Sequence, residues 1–370
     1  EIPFADIVDC LERGRDPRKN AVPGLVWREN GRTRRTPPPP RFDLKQKVPL
    51  NLGLLRRPED YDLLPYAFSR GCAFGCRFCM EDNIRPTRRS VPRRIFQKEL
   101  AALQKQVKAD RLLACDALFR SYDLMPLIRS LGMTIHFETR CDLLDPDRIS
   151  EMADVCGMLA IGLESASYSS LRRMNKVGNR AHFRRYIDNA EAIFKEAVRV
   201  GIPVTMFMMA GYPGDTAEDM AENFRFAERL SSYRGPGGHL FKIGECRVYP
   251  GTKLARWVDT LPEVAFDNDG VFGENVVRRP SKGLRFEDVV HHMQQVFALS
   301  NPTEKLQENL LGIMPFFRLP GSALRHQIVP SACFSDAERE ILRIDRQSLA
   351  RFRPKALQLS RMFHNAMSDP

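Results

Sequence analysis

A chain of 370 residues that is 43% hydrophobic and 28% charged carries enough apolar material for a substantial core and has ordinary globular composition. Disorder, collagen-like repetition and a disulfide-stapled miniprotein are thereby excluded. The longest apolar run, residues 202–212, falls well short of the roughly 20 residues needed to cross a bilayer, and no signal peptide opens the sequence, so no membrane partner and a cytoplasmic location are expected.

Lys and Arg (57) exceed Asp and Glu (46), giving a formal net charge of +11. Much of the excess is local, at Arg32, Arg34 and Arg35 and again at Arg85, Arg88, Arg89, Arg93 and Arg94. Such clusters can dock phosphate-rich partners. No nucleic-acid-binding motif accompanies them, so an Arg-rich solvated surface or a set of carboxylate clamps is the preferred reading and nucleic acid is not favoured.

In chain order, Phe4, Ile7, Val8 and Leu11 mark a short amphipathic helix, followed by Arg- and Pro-rich sequence ending in the run Pro37 to Pro40. Four consecutive prolines cannot continue a helix and favour extended geometry, so residues 1–60 read as the end of an upstream domain plus a linker. The chain does not begin with Met, and a longer parent protein is expected.

From Tyr66 onward, short apolar runs alternate with amphipathic helical stretches, the pattern of a parallel sheet with helices outside. Strands are expected near Tyr66–Arg70, Arg111–Asp116, Thr134–Arg140, Met158–Glu164, Pro203–Ala210 and Ile243–Tyr249. Helical periods lie between them, as in Leu100, Leu103 and Val107, or Phe183, Ile187 and Phe194. Gly132 and Gly201 stand where helix-ending glycines belong, Asp145 precedes Pro146 as a cap, and Asp215 with Glu218 reads as a capping box. The expected fold is α/β, a partial (β/α)6 TIM-like barrel over residues 61–280, with its site at the C-terminal strand ends. Residues 281–370 lose the strand signal. Their periodicity, for example Val289, Met293, Val296 and Phe297 and on to Phe363, reads as a helical C-terminal region.

Three of the nine cysteines stand together, Cys72, Cys76 and Cys79, in Gly71-Cys-Ala-Phe-Gly-Cys-Arg-Phe-Cys-Met80. Clustering in a cytosolic chain argues against disulfides and toward metal or redox chemistry. Structural zinc usually takes four ligands in two pairs and no second pair follows, while a Cys-x-x-Cys redox motif would not need the third thiol. Three thiolates on a loop after a strand suit a cubic iron–sulfur cluster with one iron left open. A zinc site or chance thiols are the alternative.

The spacing Cys72-x3-Cys76-x2-Cys79, with aromatic Phe78 before the last cysteine, resembles the signature of radical S-adenosylmethionine (SAM) enzymes. The resemblance implies a [4Fe-4S] cluster on these three thiolates, whose open iron chelates SAM, and a low-potential reductant such as flavodoxin or ferredoxin. Further strand-end motifs, Phe137-Glu-Thr-Arg-Cys-Asp142, Ile161-Gly-Leu-Glu-Ser-Ala166, Met174-Asn-Lys-Val-Gly178, Gly211-Tyr-Pro-Gly-Asp215 and Tyr249-Pro-Gly-Thr252, resemble the subgroup that carries a cobalamin-binding domain before the barrel. So does Val22-Pro-Gly-Leu-Val-Trp-Arg with Arg34-Arg-Thr-Pro-Pro. The likeness covers residues 22–254 and implies cobalamin as a third cofactor, although no Asp-x-His-x-x-Gly occurs.

The resemblance makes the signature aromatic Phe78 a cofactor-binding candidate, and strand-end position with hydrogen bonding or close backbone approach adds Arg140, Glu164, Ser165 and Gly211, with Asp116 as a stand-in for the absent Gly-Gly-Glu. Asp116 reads equally as a turn cap. Arg247 and Tyr249 share one face by the period of two and are further candidates, against half-exposed strand residues. Cys115, Cys141, Cys156 and Cys246 read as buried small hydrophobes, with Cys141 and Cys246 close to expected strand ends, and Met206, Met208 and Met209 read as core.

No hydrolytic triad or carboxylate pair is evident, and catalytic side chains stay unassigned. The resemblance implies a cobalamin-dependent methyltransferase acting on a small molecule. Ring contraction, cyclisation or non-radical methylation within the same subgroup, a tRNA-modifying methylthiotransferase, and a non-catalytic zinc scaffold are the alternatives.

Overall fold

The computed structural model describes residues 2–47, 63–84, 87–107, 110–119, 122–267, 275–303 and 305–306. The described residues among 1–50 and 91–95 form one compact unit, and those among 51–90 and 96–306 form a second.

In the first unit the expected amphipathic helix is α1 (Ile2–Glu12), with Phe4 and Leu11 exposed. An antiparallel ribbon follows, Val26–Glu29 with Arg32–Arg35. Its turn is Asn30-Gly31, both at positive φ (49° and 75°), which is the pairing a tight hairpin requires. The basic cluster at residues 32–35 is thus an exposed strand, consistent with a solvated face.

The second unit is built on six parallel strands: β1 (Leu63–Tyr66), β2 (Arg111–Ala114), β3 (Thr134–Thr139), β4 (Cys156–Glu164), β5 (Val204–Ala210) and β6 (His239–Glu245). Each pairs with its sequence neighbour, and β1 and β6 stand at the two ends of the sheet, so among the described residues the barrel is open. The strands read as nearly continuous apolar runs because both faces are covered: in β4 only Gly162 and Glu164 are not buried.

Helices return the chain between strands: α2 (Arg93–Gln106), α3 (Met125–Ser130), α4 (Arg180–Arg199) and α5 (Ala217–Ser231). Helix α4 shows why they form. Asn179 caps it by accepting from His182 N at 2.8 Å, and Tyr186, Ile187, Ala190, Ile193, Phe194, Ala197 and Val198 recur at helical spacing on one buried face. Phe194 stacks on Phe241 of β6 at 5.9 Å. Each such large side chain contributes roughly 1.5–3 kcal/mol on burial. After β6, α6 (Phe286–Ala298) packs against β6, with Val289 and Val296 in the core.

Strands two to five lie where the periodicity puts them. The first and sixth begin earlier, at Leu63 and His239, and end earlier, at Tyr66 and Glu245. Ser69–Arg70 pairs instead with Arg89–Ser90, and Arg247–Val248 leaves the barrel to pair with Asn275–Arg279, which also pairs with Ala265–Asp267. The capping box before α5 is one residue later than expected: Thr216 and Asp219 form it, while Asp215 is buried and accepts from Tyr212 N, Ser170 Oγ and Arg173 Nη2. Asp145 caps the turn beginning at Pro146 as expected. The expected helical stretches beyond Leu306 lie outside the described residues. No helix of the described residues is long and apolar enough to cross a membrane.

Candidate active site

The thiol loop leaves the C-terminal end of β1. Asp116, beyond β2, fixes its start: the carboxylate accepts from Phe68 N at 2.9 Å and from the Ser69 hydroxyl. Gly71 and Gly75 then turn the chain at φ 87° and 66°, conformations that an L side chain resists. Farther along, Arg77 N donates to Met174 O at 3.0 Å, Arg77 O accepts from Leu254 N at 2.8 Å, and Asn175 Nδ2 donates to Gly75 O at 3.0 Å. The loop's main chain is therefore held from two sides by distant parts of the sequence.

Cys72, Cys76 and Cys79 line one cavity of about 590 Å³ at the C-terminal ends of the strands. Its wall continues through Phe74 and Phe78, Leu118, Glu138 and Thr139 of β3 with Arg140 just beyond it, Gly162 and Glu164 of β4, Lys176, Phe207 and Met208 of β5, and Lys242 to Gly244 of β6. Among the described residues no three His, Cys, Asp or Glu side chains converge as ligands of a single ion would. Three thiols opening on one cavity are the donor set that a cubic iron–sulfur cluster with one open iron takes. Burial raises the Cys76 and Cys79 thiols, and Lys176 and Arg140 oppose that rise at Cys76.

Arg140 is buried beside the loop. Its Nε and Nη2 reach Asp142 Oδ1 and Oδ2 at 2.9 and 2.7 Å, Nη2 also reaches Lys176 O at 3.1 Å, and Nη1 donates to Cys76 Sγ at 3.5 Å. The guanidinium lies 4.0 Å from the Phe74 ring centroid. Burial works against the charge on Asp142, but the Arg140 fork outweighs it and holds the carboxyl below the usual carboxylate range.

Glu164 ends β4 where the pairing with β5 shifts register, and its φ is 70°, a rare conformation for a side-chain-bearing residue. Lys176, with a side chain only 2% exposed, donates to Gly162 O at 2.5 Å and to Glu164 Oε1 at 3.0 Å. Tyr186 OH donates to the same Gly162 carbonyl at 2.9 Å. Across the wall, burial and then the neighbouring Glu164 charge push Glu138 up to about 7. The site therefore combines three thiols, two buried cations with carboxylate partners, and one carboxyl poised near neutrality.

Of the sequence-derived candidates, Phe78, Arg140 and Glu164 line the cavity with the cysteines. Five others do not. Asp116 spends both oxygens on the loop entry. Ser165 is fully buried, donating to Asn223 Oδ1 at 2.8 Å and accepting from Ser167 N at 3.0 Å. At Gly211 an added Cβ would meet Val289 and Pro280 side chains at 3.0 and 3.1 Å, so its close approach is to packed protein. Arg247 is bound to Glu245 at 2.6 Å on a strand outside the barrel, and Tyr249 follows it there, because β6 ends at Glu245.

Cys141 and Cys246 are buried, with thiols raised by burial, as small core residues are. Cys115, expected buried, is exposed at the end of β2. Met206 is core as expected, whereas Met208 is core and also faces the cavity. Sequence reasoning missed Glu138 and Lys176. Glu138 carried a signal, since it is two residues from Arg140 and shares its face. Lys176 lies within the Met174 to Gly178 motif, but on a loop whose spacing does not show which way a side chain faces.

Residues 66–227 match the model of the radical SAM superfamily, and the chain carries a radical SAM domain. The region matched runs from β1 through the thiol loop to α5.

Among individual proteins, one named an uncharacterized methyltransferase of Pyrococcus horikoshii is 27% identical over 278 residues, 69% of this chain and 55% of its own length. The ribosomal protein uS12 methylthiotransferase RimO of Leptospira biflexa is 28% identical over 202 residues, covering 50% of this chain and 43% of that protein. The chain spans about half the length of these curated relatives. In fold it is similar to the radical SAM methyltransferase TsrM of Kitasatospora setae with cobalamin and a [4Fe-4S] cluster bound, with a TM-score of 0.61, 17% identity, and coverage of 94% of this chain and 76% of that one. A second structure of that protein, with tryptophan and a SAM analogue, gives a TM-score of 0.55 at 16% identity over 74% of this chain and 56% of that chain.

Proposed function

We propose that this chain is the catalytic barrel of a cobalamin-dependent radical SAM methyltransferase acting on a small molecule, working in the cytoplasm with a low-potential electron donor. The observation that carries this reading is the single cavity onto which Cys72, Cys76 and Cys79 open, beside buried Arg140 and Lys176 and half-buried Glu164. The uncharacterized methyltransferase and TsrM support methyl transfer as the outcome.

On this reading the three thiolates hold a [4Fe-4S] cluster, and Phe78, Arg140 and Glu164 border the SAM that shares the cavity. When bound, these groups supply one-electron cleavage of the sulfonium, with cobalamin as methyl carrier. The protein's part is orientation and exclusion of water. The rings of Phe74 and Phe78 wall the thiols, Lys176 fixes the direction of the Glu164 carboxylate, and Glu138, near half-protonated at neutral pH, can give or accept a proton inside the cavity.

The test is anaerobic reconstitution with iron and sulfide, then incubation with SAM, a strong reductant and cobalamin, against Cys76→Ala. Formation of 5′-deoxyadenosine by the parent alone, with S-adenosylhomocysteine beside it, is the expected result. Neither product, with zinc bound in place of iron, would refute it. The RimO likeness favours a second reading, transfer of a methylthio group to a macromolecule. Sulfur incorporation into product would select it.

A further inference from the structure

Four of the five N–H donors of the Arg140 guanidinium are bonded within the protein. Two go to Asp142 and one to Lys176 O, leaving Nη1 aimed at Cys76 Sγ at 3.5 Å, with the Phe74 ring against the face of the group. The side chain is 7% exposed and that of Asp142 is 19% exposed. A planar cation tethered at four points cannot swing to follow a substrate. It is built to hold one hydrogen bond at one sulfur.

Resting on the proposed cluster site, we infer that Arg140 is a positioning residue that sets how readily the cluster on Cys72, Cys76 and Cys79 is reduced, and that Asp142 limits its effect. Reduction adds one electron from a one-electron donor and one unit of negative charge, shared with the ligand sulfurs, with no bond made or broken and no proton moved. A hydrogen bond from a cation to a ligand sulfur therefore stabilises the reduced form more than the oxidised one. Asp142 stands behind the guanidinium, so its negative charge subtracts from the field at the sulfur. On its outer side, His182 Nε2 lies 3.8 Å from Asp142 Oδ2. Lys176 adds a second cation near Cys76, matched by Glu164.

The pairing predicts shifts of opposite sign. Arg140→Met removes the donor and the charge and makes reduction harder. Asp142→Asn keeps an acceptor for the guanidinium while removing the opposing charge, and makes reduction easier.

The experiment uses the full chain reconstituted with iron and sulfide, without SAM, poised with dithionite and mediators. Iron is counted, and the reduced cluster is read by electron paramagnetic resonance. A charge-assisted hydrogen bond is worth about 1.5 kcal/mol, close to ten-fold in the reduced-to-oxidised ratio, or ~59 mV for one electron. At the potential where the parent is half reduced, that ratio is expected to fall about ten-fold in Arg140→Met and to rise in Asp142→Asn. Should Arg140→Met fail to load iron, Arg140→Lys takes its place and must shift in the same direction by less.

Iron-loaded variants with the parent's midpoint, or both variants shifting the same way, would overturn the inference. A parent chain that binds no iron would instead sink the functional reading beneath it.

Discussion

Removing the ammonium of Lys176 tests how the cavity wall is held. In Lys176→Met the Gly162 carbonyl keeps Tyr186 OH as a donor, but Glu164 loses the partner that fixes its carboxylate at 3.0 Å. The carboxylate side chain is 16% exposed, lies near Glu138, and hangs from a backbone at φ 70°. Breaking a buried pair from one side costs about 3–5 kcal/mol, and the residual exposure of Glu164 puts this case at the lower end, about 3 kcal/mol. Adding Glu164→Gln removes the stranded charge and should return at least half of the loss. Urea unfolding of the metal-free protein, followed by circular dichroism, reads both quantities. A single variant within 1 kcal/mol of the parent, or a double variant no more stable than the single, would refute the reasoning.

Glu138→Gln should stabilise the metal-free protein at alkaline pH. A carboxyl raised to about 7 gives stability that is complete below its unfolded value of about 4.5 and lost as pH rises through 7, so above pH 8 the variant should gain about 1–3 kcal/mol and at pH 4 nothing. A gain that does not vary with pH in urea titrations would contradict this. Burial pushes His136 and His239 down to about 4, so the stability they contribute is full above pH 6.5 and falls as pH drops toward 4. His136→Met should flatten that fall by ~1.4 kcal/mol per pH unit, and an unchanged slope would show that His136 is not buried neutral. In Asn223→Ala, Ser165 Oγ and Ala166 N both lose their acceptor in a buried setting, an expected loss of about 1–3 kcal/mol by urea unfolding, and a loss under 0.5 kcal/mol would mean the network is dispensable.

The parts of this molecule legible in the sequence were those set by local pattern. The thiol loop, four of six strands and helix α4 follow from cysteine spacing and apolar period. The sixth strand slipped because apolar residues recur from Leu240 to Tyr249, and only pairing with Asn275–Arg279 shows that Arg247 and Val248 belong to another sheet. Ser165 and Gly211 lie away from the thiol cavity, and a related ambiguity made them candidates. A strand-end hydroxyl or glycine looks the same whether a ligand or Asn223 and Val289 approach it. Lys176 stood inside the Met174 to Gly178 motif, but its role comes from Gly162 and Glu164 across a loop, a relation that no local spacing encodes.

The Arg77 main chain, donating to Met174 O and accepting from Leu254 N, also carries an implication for biogenesis. Leu254 lies beyond β6, so the thiol loop acquires its final shape only after the last barrel strand has been made and packed. An emerging chain therefore exposes Cys72, Cys76 and Cys79 long before they can form a finished site. On the proposed cluster assignment, iron insertion belongs to the end of folding, and a cell making this protein must keep those thiols reduced through the interval.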